Sequence, residues 1–369
     1  MIFIFFLLTW TAMNVYVFWR LTTVPGLNPI VPIWVFALIG GFLWSSYLLA
    51  RVVESRFGGG LPAAVLEFVG AHWIGIVFLL LVCLLFTDLV TGFGWLLPQA
   101  ARSLRAAAVL LAVGLSVFAM VQARRAPEVT DYEVRLAGLP AEHDGKVLVV
   151  MSDMHLGTMI GKDWAEDRID QAKALNPDMI VLAGDIFEGS EESVRDWVPV
   201  LRELSAPLGV WAVSGNHEYY AGVRHTLKLL SESGVRVLRD EWAEAAPGLL
   251  VAGVDDLTVR RRQSQDGAKF VDRALQGRPA NAATIYLSHT PWHATDAAER
   301  GANLMLSGHT HNGQIWPFTY AVRRVHPLTY GRYDVNGMTA IVCRGTGTWG
   351  PRMRLWQRGE MLRITLRAG

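Results

Sequence analysis

Ser152-Asp153-Met154-His155-Leu156-Gly157 and Ser307-Gly308-His309-Thr310-His311 bracket an ordered series of Asp, Asn and His residues. Between them lie Ala183-Gly184-Asp185-Ile186, Ser214-Gly215-Asn216-His217-Glu218 and Leu287-Ser288-His289-Thr290, so that these stretches hold five of the chain's ten histidines. Nearly every one follows a short apolar, often β-branched run: Val147-Leu148-Val149-Val150-Met151, Met179-Ile180-Val181-Leu182, Val210-Trp211-Ala212-Val213, Thr284-Ile285-Tyr286-Leu287 and Leu304-Met305-Leu306. Runs of this length, closed by small or turn residues, predict buried strands, each with a candidate ligand just past its C-terminal end. In layered α/β folds that edge is where sites are built. The fold class follows as α/β.

The residue types point to a two-metal hydrolytic site. Asp, His and Asn offer hard and borderline O and N ligands, suited to Mn, Fe or Zn and unsuited to soft Cu(I). A carboxylate can bridge two cations, and two cations roughly 3.5–4 Å apart can share a hydroxide, aim it at phosphorus and stabilise the phosphoryl oxygens. No side-chain nucleophile is needed. A lone Asp-x-His or Gly-Asp is more often a turn or a capped helix start, but five such stretches in order are far more specific. His143, His225, His293 and His326 lie outside them and are read as surface or hydrogen-bonded histidines.

On these residues the chain resembles the calcineurin-like metallophosphoesterases, whose motif order is Asp-x-His, Gly-Asp, Gly-Asn-His-Glu/Asp, a lone His and Gly-His-x-His. All five are present from residue 152 to 311, and the resemblance covers roughly the C-terminal two thirds. It implies a four-layer αββα sandwich. It implies that Asp153, His155 and His311 hold a first divalent metal, that Asn216, His289 and His309 hold a second, and that Asp185 bridges them. It implies that His217 is the catalytic histidine, a non-ligand that stabilises the transition state or protonates the leaving oxygen. Where the family often continues Gly-Asp-x-x-Asp, this chain has Glu188 in Gly184-Asp185-Ile186-Phe187-Glu188-Gly189, a departure read as touching loop support only. The closing Ile341-Val342-Cys343-Arg344-Gly345-Thr346-Gly347-Thr348, the following Pro351-Arg352-Met353-Arg354 and the pair Gly313-Gln314 look like the membrane-associated branch of that family. Arg344, and less so Arg352 and Arg354, are candidate phosphate clamps.

The N-terminal third is a different material. Residues 1–126 contain no Lys, and apolar stretches near 2–19, 30–50, 71–92 and 104–123 approach or reach the roughly 20 residues a membrane-crossing helix needs. A transmembrane domain of about four helices is expected. The first stretch lacks the basic residues that open a signal peptide, so it is expected to be retained. Glu67, His72 and Asp88 mark either a bundle interior or an interface. Trp10, Trp19, Trp34, Trp44, Trp73 and Trp95 suit aromatic belts. Arg51, Arg56, Arg124 and Arg125 outnumber Arg20, Arg102 and Arg105 on the other side, which puts the termini and the catalytic domain in the cytoplasm. The expected location is an inner membrane of bacterial type.

The expected domains are 1–126 transmembrane, 127–145 connector and first strand, and 146–369 catalytic. Further strands are read at Tyr132 to Leu139, Met338 to Arg344 and Met361 to Leu366, and helices at Trp164 to Leu175, Ser193 to Leu204 and Val223 to Ser233. A formal charge of +1 argues against wholesale nucleic-acid binding, and the Arg260-Arg261-Arg262 run reads as a solvated loop or, facing a bilayer, a headgroup attractor. Two cysteines, Cys83 and Cys343, leave no disulfide framework. The expected function is a membrane-anchored phosphoesterase using two divalent ions, Mn favoured with Fe or Zn possible. Its substrate is a phosphate ester or pyrophosphate, economically a lipid-linked one, and membrane lipids are its other partners. The alternatives are a broad phosphodiesterase on soluble nucleotides, with the helices a simple anchor, and an inactive membrane sensor or accessory protein. The sequence leaves the oligomeric state open.

Overall fold

The computed structural model describes residues 2–27, 31–57, 60–189, 194–263 and 265–369. The short apolar runs become strands because alternate residues of each bury on opposite faces. Leu148 and Val150 face one core while Val149 and Met151 face another. The described strands form two six-stranded sheets. The first has the order β1 (Glu128–Leu136), β12 (Glu360–Ala368), β2 (Val147–Met151), β3 (Met179–Leu182), β4 (Val210–Ala212) and β5 (Arg236–Val237). The second has the order β10 (Gly331–Val335), β11 (Met338–Val342), β9 (Leu304–Ser307), β8 (Ala283–Leu287), β7 (Leu249–Gly253) and β6 (Glu241–Ala246). Strands β2 to β5 run parallel, as do β7, β8, β9 and β11.

Three cores make four layers. Leu148, Val150 and Val181 meet Ile285, Leu306 and Ile341 between the sheets. Val149 and Ile180 pack outward on Ile169, Leu201 and Leu230 of flanking helices, and Tyr286, Met305 and Ala340 pack on Val271, Leu275 and Ala297. This is the αββα sandwich, each buried aliphatic side chain contributing about 1.5–3 kcal/mol. The first strand starts earlier than its alternation suggests, at Glu128, because it pairs with β12 along its whole length from Glu128 opposite Glu360. The expected helices appear at Lys162–Lys173 and Val223–Glu232. Ser193, the expected start of the third, lies outside the described residues; the chain there forms a 3-10 turn Arg195–Trp197 and a short helix Val198–Leu201.

A second compact unit comprises Met1–Arg124 and Gly350–Trp356. It contains α1 (Ile2–Leu21), α2 (Ile33–Phe57), α3 (Leu61–Thr91) and α4 (Pro98–Arg124), each holding a window long and apolar enough to cross a membrane. Residue 30, where the second span was expected to begin, is not among those described. Leu38, Phe86 and Leu110 stand exposed on the helices, as lipid-facing residues do. Gly70 lets α2 and α3 approach closely: a Cβ there would meet the Tyr47 backbone nitrogen at 2.5 Å. The ionisable residues are interior. Asp88 is fully buried, accepts a hydrogen bond from Tyr16 Oη at 2.6 Å, and lies 2.5 Å from Arg20 Nε and 3.0 Å from Arg105 Nη2. Glu67 and His72 are buried too, Glu67 near Arg51 at 3.7 Å and His72 beside the Phe68 carbonyl at 2.8 Å. Trp10 and Trp73 depart from the belt reading: both are buried and donate inward, to the Trp44 carbonyl at 3.1 Å and Asn14 Oδ1 at 2.8 Å.

Candidate metal centre

The loops that leave β2, β3, β4, β8 and β9 carry all the motif residues, and the backbone there is bent sharply enough to turn them towards one another. Asp153, His155, Asp185, His309 and His311 have φ of 54°, 49°, 52°, 71° and 47°. Non-glycine residues in this left-handed region cost on the order of 1–3 kcal/mol each and persist only where surroundings over-determine them. Two glycines make room. A Cβ on Gly215 would overlap Asp185 Oδ1, and one on Gly308 would overlap Ser152 Oγ and Asp153 Oδ2.

Two clusters result. Asp153 Oδ1 lies 3.3 Å from His311 Nε2, which in turn is 3.2 Å from His155 Nε2. Asp185 Oδ2 lies 3.0 Å from His289 Nε2, which is 3.2 Å from His309 Nδ1. Asp185 stands between them: its Oδ2 is also 4.0 Å from both His155 Nε2 and His217 Nε2. The groups Asp153/His155/His311 and Asp185/His289/His309 each bring their ligand atoms within 4.8 Å, and so does His155/Asp185/His217. Asn216 Oδ1 is buried without a hydrogen-bond partner among the described residues. An orphaned amide oxygen and facing imidazole nitrogens are what a cation-binding site requires, because a polar atom buried unpaired is costly. The donor set therefore fits divalent cations of the Mn, Fe or Zn kind.

Two glutamates hold the loops. Glu218 is fully buried and accepts from four backbone amides: Asp185 at 2.9 Å, Ile186 at 2.8 Å, Phe187 at 3.1 Å and Gly215 at 2.6 Å. Glu188 does more than support its loop. Its Oε2 lies 2.9 Å from His155 Nδ1 and 2.7 Å from His217 Nδ1, which fixes both rings with Nε2 towards the cluster. Its partners lie far off in sequence, so the only signal was its place in the Gly-Asp-x-x-Asp pattern.

The charges are mutually adjusted. Burial pushes Asp185 up, but His289, His217 and His155 together hold its carboxyl well below the usual carboxylate range. Burial leads in raising Asp153, helped by the Asp185 charge. His217 is lifted to about 9: burial opposes the shift, and Asp185 and Glu188 overcome it. Against its own burial, His289 is raised well above 6.5 by Asp185. His309 is pushed down to about 3 by burial and by the His289 charge.

The arginines fall elsewhere. Arg344 is buried; it donates to the Arg358 carbonyl at 3.1 Å and to Tyr330 Oη at 2.8 Å and pairs with Glu128 at 2.5 Å, so its guanidinium braces strands. Arg352 and Arg354 belong to the helical unit, where Arg354 N donates to the Ala119 carbonyl at 2.9 Å. Gln314 brackets the Trp349 backbone with two 3.0 Å hydrogen bonds, setting that ring 6.2 Å from His217. His326, set aside in the sequence, stands edge-on to His309 with ring centroids 5.2 Å apart.

Residues 146–313 match the family of calcineurin-like phosphoesterases. A transmembrane protein with metallophosphoesterase domain from Danio rerio is 32% identical over 270 residues, 70% of this chain and 62% of that protein. Its namesake from Bos taurus is 34% identical over 276 residues, 71% of this chain and 62% of its own length. The chain thus spans less than two thirds of either. An uncharacterized metallophosphoesterase from Aquifex aeolicus is 33% identical over 253 residues, 65% of this chain and 91% of its own. Identity at that level across nearly the whole of a metallophosphoesterase, joined to the five loops meeting at one sheet edge, means that this chain belongs to the calcineurin-like phosphoesterase family.

Proposed function

We propose that the chain is a membrane-anchored, dinuclear metal-dependent phosphoesterase that cleaves a phosphate ester or pyrophosphate bond of a lipid-linked substrate. The observation that carries this is the pair of imidazole-carboxylate clusters with Asp185 standing between them, on whose loops Asn216 Oδ1 is buried without a hydrogen-bond partner among the described residues. Divalent cations bound there supply Lewis acidity and make water a competent nucleophile at neutral pH. Asp153, His155 and His311 would hold one cation and Asn216, His289 and His309 the other, with Asp185 placed to serve both. Glu188 engages His217 Nδ1 and so leaves Nε2 to meet the substrate. As water adds to phosphorus and the ester or anhydride P–O bond breaks, the departing oxygen takes the proton from Nε2, and the proton lost by the attacking water restores His217 for the next turnover. Manganese is the favoured metal, and the catalytic domain faces the cytoplasm of a bacterial-type inner membrane.

Four membrane-length helices support the lipid-linked substrate, since an enzyme held at a bilayer meets such molecules without extracting them. The full-length protein in lipid nanodiscs with Mn²⁺ tests this. kcat/KM for a lipid-linked diphosphate is expected to exceed that for a soluble nucleotide phosphodiester by at least about tenfold, a difference of about 1.4 kcal/mol in transition-state stabilisation. Equal values would favour the simple-anchor reading, and no turnover of either would favour the inactive accessory.

A further inference from the structure

The run Arg260-Arg261-Arg262 does not act as one patch. Arg260 turns inward: its Nη2 lies 2.9 Å from Asp240 and 3.1 Å from Asp255, and its guanidinium sits 4.1 Å from the Phe270 ring centre. Arg261 and Arg262 are exposed, and each lies over an aromatic ring. Arg261 is 5.1 Å from the centre of Trp292; Arg262 is 5.6 Å from that of Tyr220 and donates to its hydroxyl. Those rings lead to two different members of the metal cluster. Trp292 stacks on His326 at 5.6 Å and 11°, and His326 stands against His309. Tyr220 stands edge-on to His217 at 5.2 Å.

The short helix carrying the arginines, Leu257–Arg262, is fixed to the loops of the site. Its capping residue Asp256 donates its amide to Ser214 Oγ at 3.2 Å and accepts from Thr290 Oγ1 at 2.8 Å, neighbours in sequence of Asn216 and His289. Beside Arg261 opens a cavity of about 540 Å³, walled by Pro291, Trp292, His293, Pro327 and Leu328. That is the size of a small-molecule site. His326, stacked on the cavity wall residue Trp292, lies just behind it.

We propose that Arg261 and Arg262 are specificity-determining residues that bind a second phosphate, beyond the one at which cleavage occurs, so that the site selects diphosphate and polyphosphate substrates over simple monoesters. This rests on the phosphoesterase reading above. Stacking holds a guanidinium plane in place while leaving its outward N–H groups to meet phosphate oxygens in pairs. The shared chemistry is a phosphoanhydride, carried either on a lipid or on a nucleoside.

Calorimetry on the full-length Mn²⁺-loaded protein, at fixed free metal, with phosphate, pyrophosphate and tripolyphosphate as ligands tests it. Wild-type affinity is expected to climb along the series. In the Arg261→Ala/Arg262→Ala variant the Kd for tripolyphosphate rises about tenfold or more, the size of one lost contact to a charged group, while that for phosphate changes less than about twofold. Lys228→Ala, which removes an exposed charge on another helix, leaves the series unaltered. Equal weakening of all three ligands in the double variant, or none, overturns the proposal. Failure of the wild type to bind phosphate at all would overturn the phosphoesterase reading itself, a distinct result. With a lipid diphosphate in nanodiscs and ADP in solution as substrates, the variant's KM rises for both. The larger wild-type kcat/KM identifies the source, and an unchanged KM for both overturns the assignment.

Discussion

Asp185 stands where the candidate ligand groups meet. Its Oδ1 accepts the His217 amide at 2.8 Å and its Oδ2 faces His289 at 3.0 Å. Asp185→Ala removes the ligand that both cations would share, so metal content measured by elemental analysis should fall and turnover of an aryl phosphodiester should vanish. Full activity in that variant contradicts the dinuclear reading. His217→Asn should instead keep metal near two per chain and lower kcat by roughly 10²–10⁴, the usual loss for a general acid. The deficit should shrink for substrates with good leaving groups. Metal lost from this variant would make His217 a ligand. Glu188→Gln is expected to weaken metal binding by roughly 10–100-fold, as loss of a carboxylate that orients a ligand histidine does, and to lower kcat as well because the same oxygen orients His217. His289 adds a pH dependence. In the metal-free protein it holds its proton to well above pH 6.5, and a ligand must be deprotonated. Metal affinity should therefore rise with pH through the neutral range, with proton release seen as a buffer-dependent binding enthalpy.

Among the elements, what counts is how abruptly each strand ends. The loops after β2, β3 and β9 place non-glycine residues at left-handed φ just beyond the buried ends of those strands, and the approach of Gly308 to Ser152 and Asp153 leaves no room for a methyl group. Gly308→Ala should cost about 1–3 kcal/mol, the usual penalty of overpacking, and weaken metal binding along with it; thermal unfolding with and without Mn²⁺ checks both. The strands that end in these loops were legible because they are continuous apolar runs buried on both faces: Val147–Met151 and Met179–Leu182 have the bounds their sequences suggest. Strands β5, β6 and β10 were not individually legible. The first has two residues, and the others are edge strands with mixed burial and no clean period. The motif residues announced the metal cluster by type and order. Glu188 was marked only by its place in a Gly-Asp-x-x-Asp pattern and His326 not at all, since what gives them meaning is contact with His155, His217 and His309, which no local pattern encodes.

At the scale of the whole molecule, the helical unit has its own polar commitment. Asp88→Ala would leave Arg20 and Arg105 buried around an empty place, and breaking a buried ion pair costs about 3–5 kcal/mol. A lower melting temperature in detergent is expected, with no change in metal content. A reporter fused after Gly369 tests the side of the membrane: alkaline phosphatase activity there would put the catalytic unit outside and reverse the arginine-based orientation. The units also differ from the linear domains a reader of the sequence would draw, because Gly350–Trp356 belongs with the helices although it lies deep in the catalytic sequence. The chain therefore changes unit three times, at 124–125, 349–350 and 356–357. Such a protein is poorly suited to modular exchange. A fragment beginning at residue 125 takes with it Met353 and Leu355, both buried in the full chain, and offers them to water. It should aggregate, and serine at both positions should restore its solubility while weakening the intact protein. Replacing this anchor with another would require new cover for those seven residues.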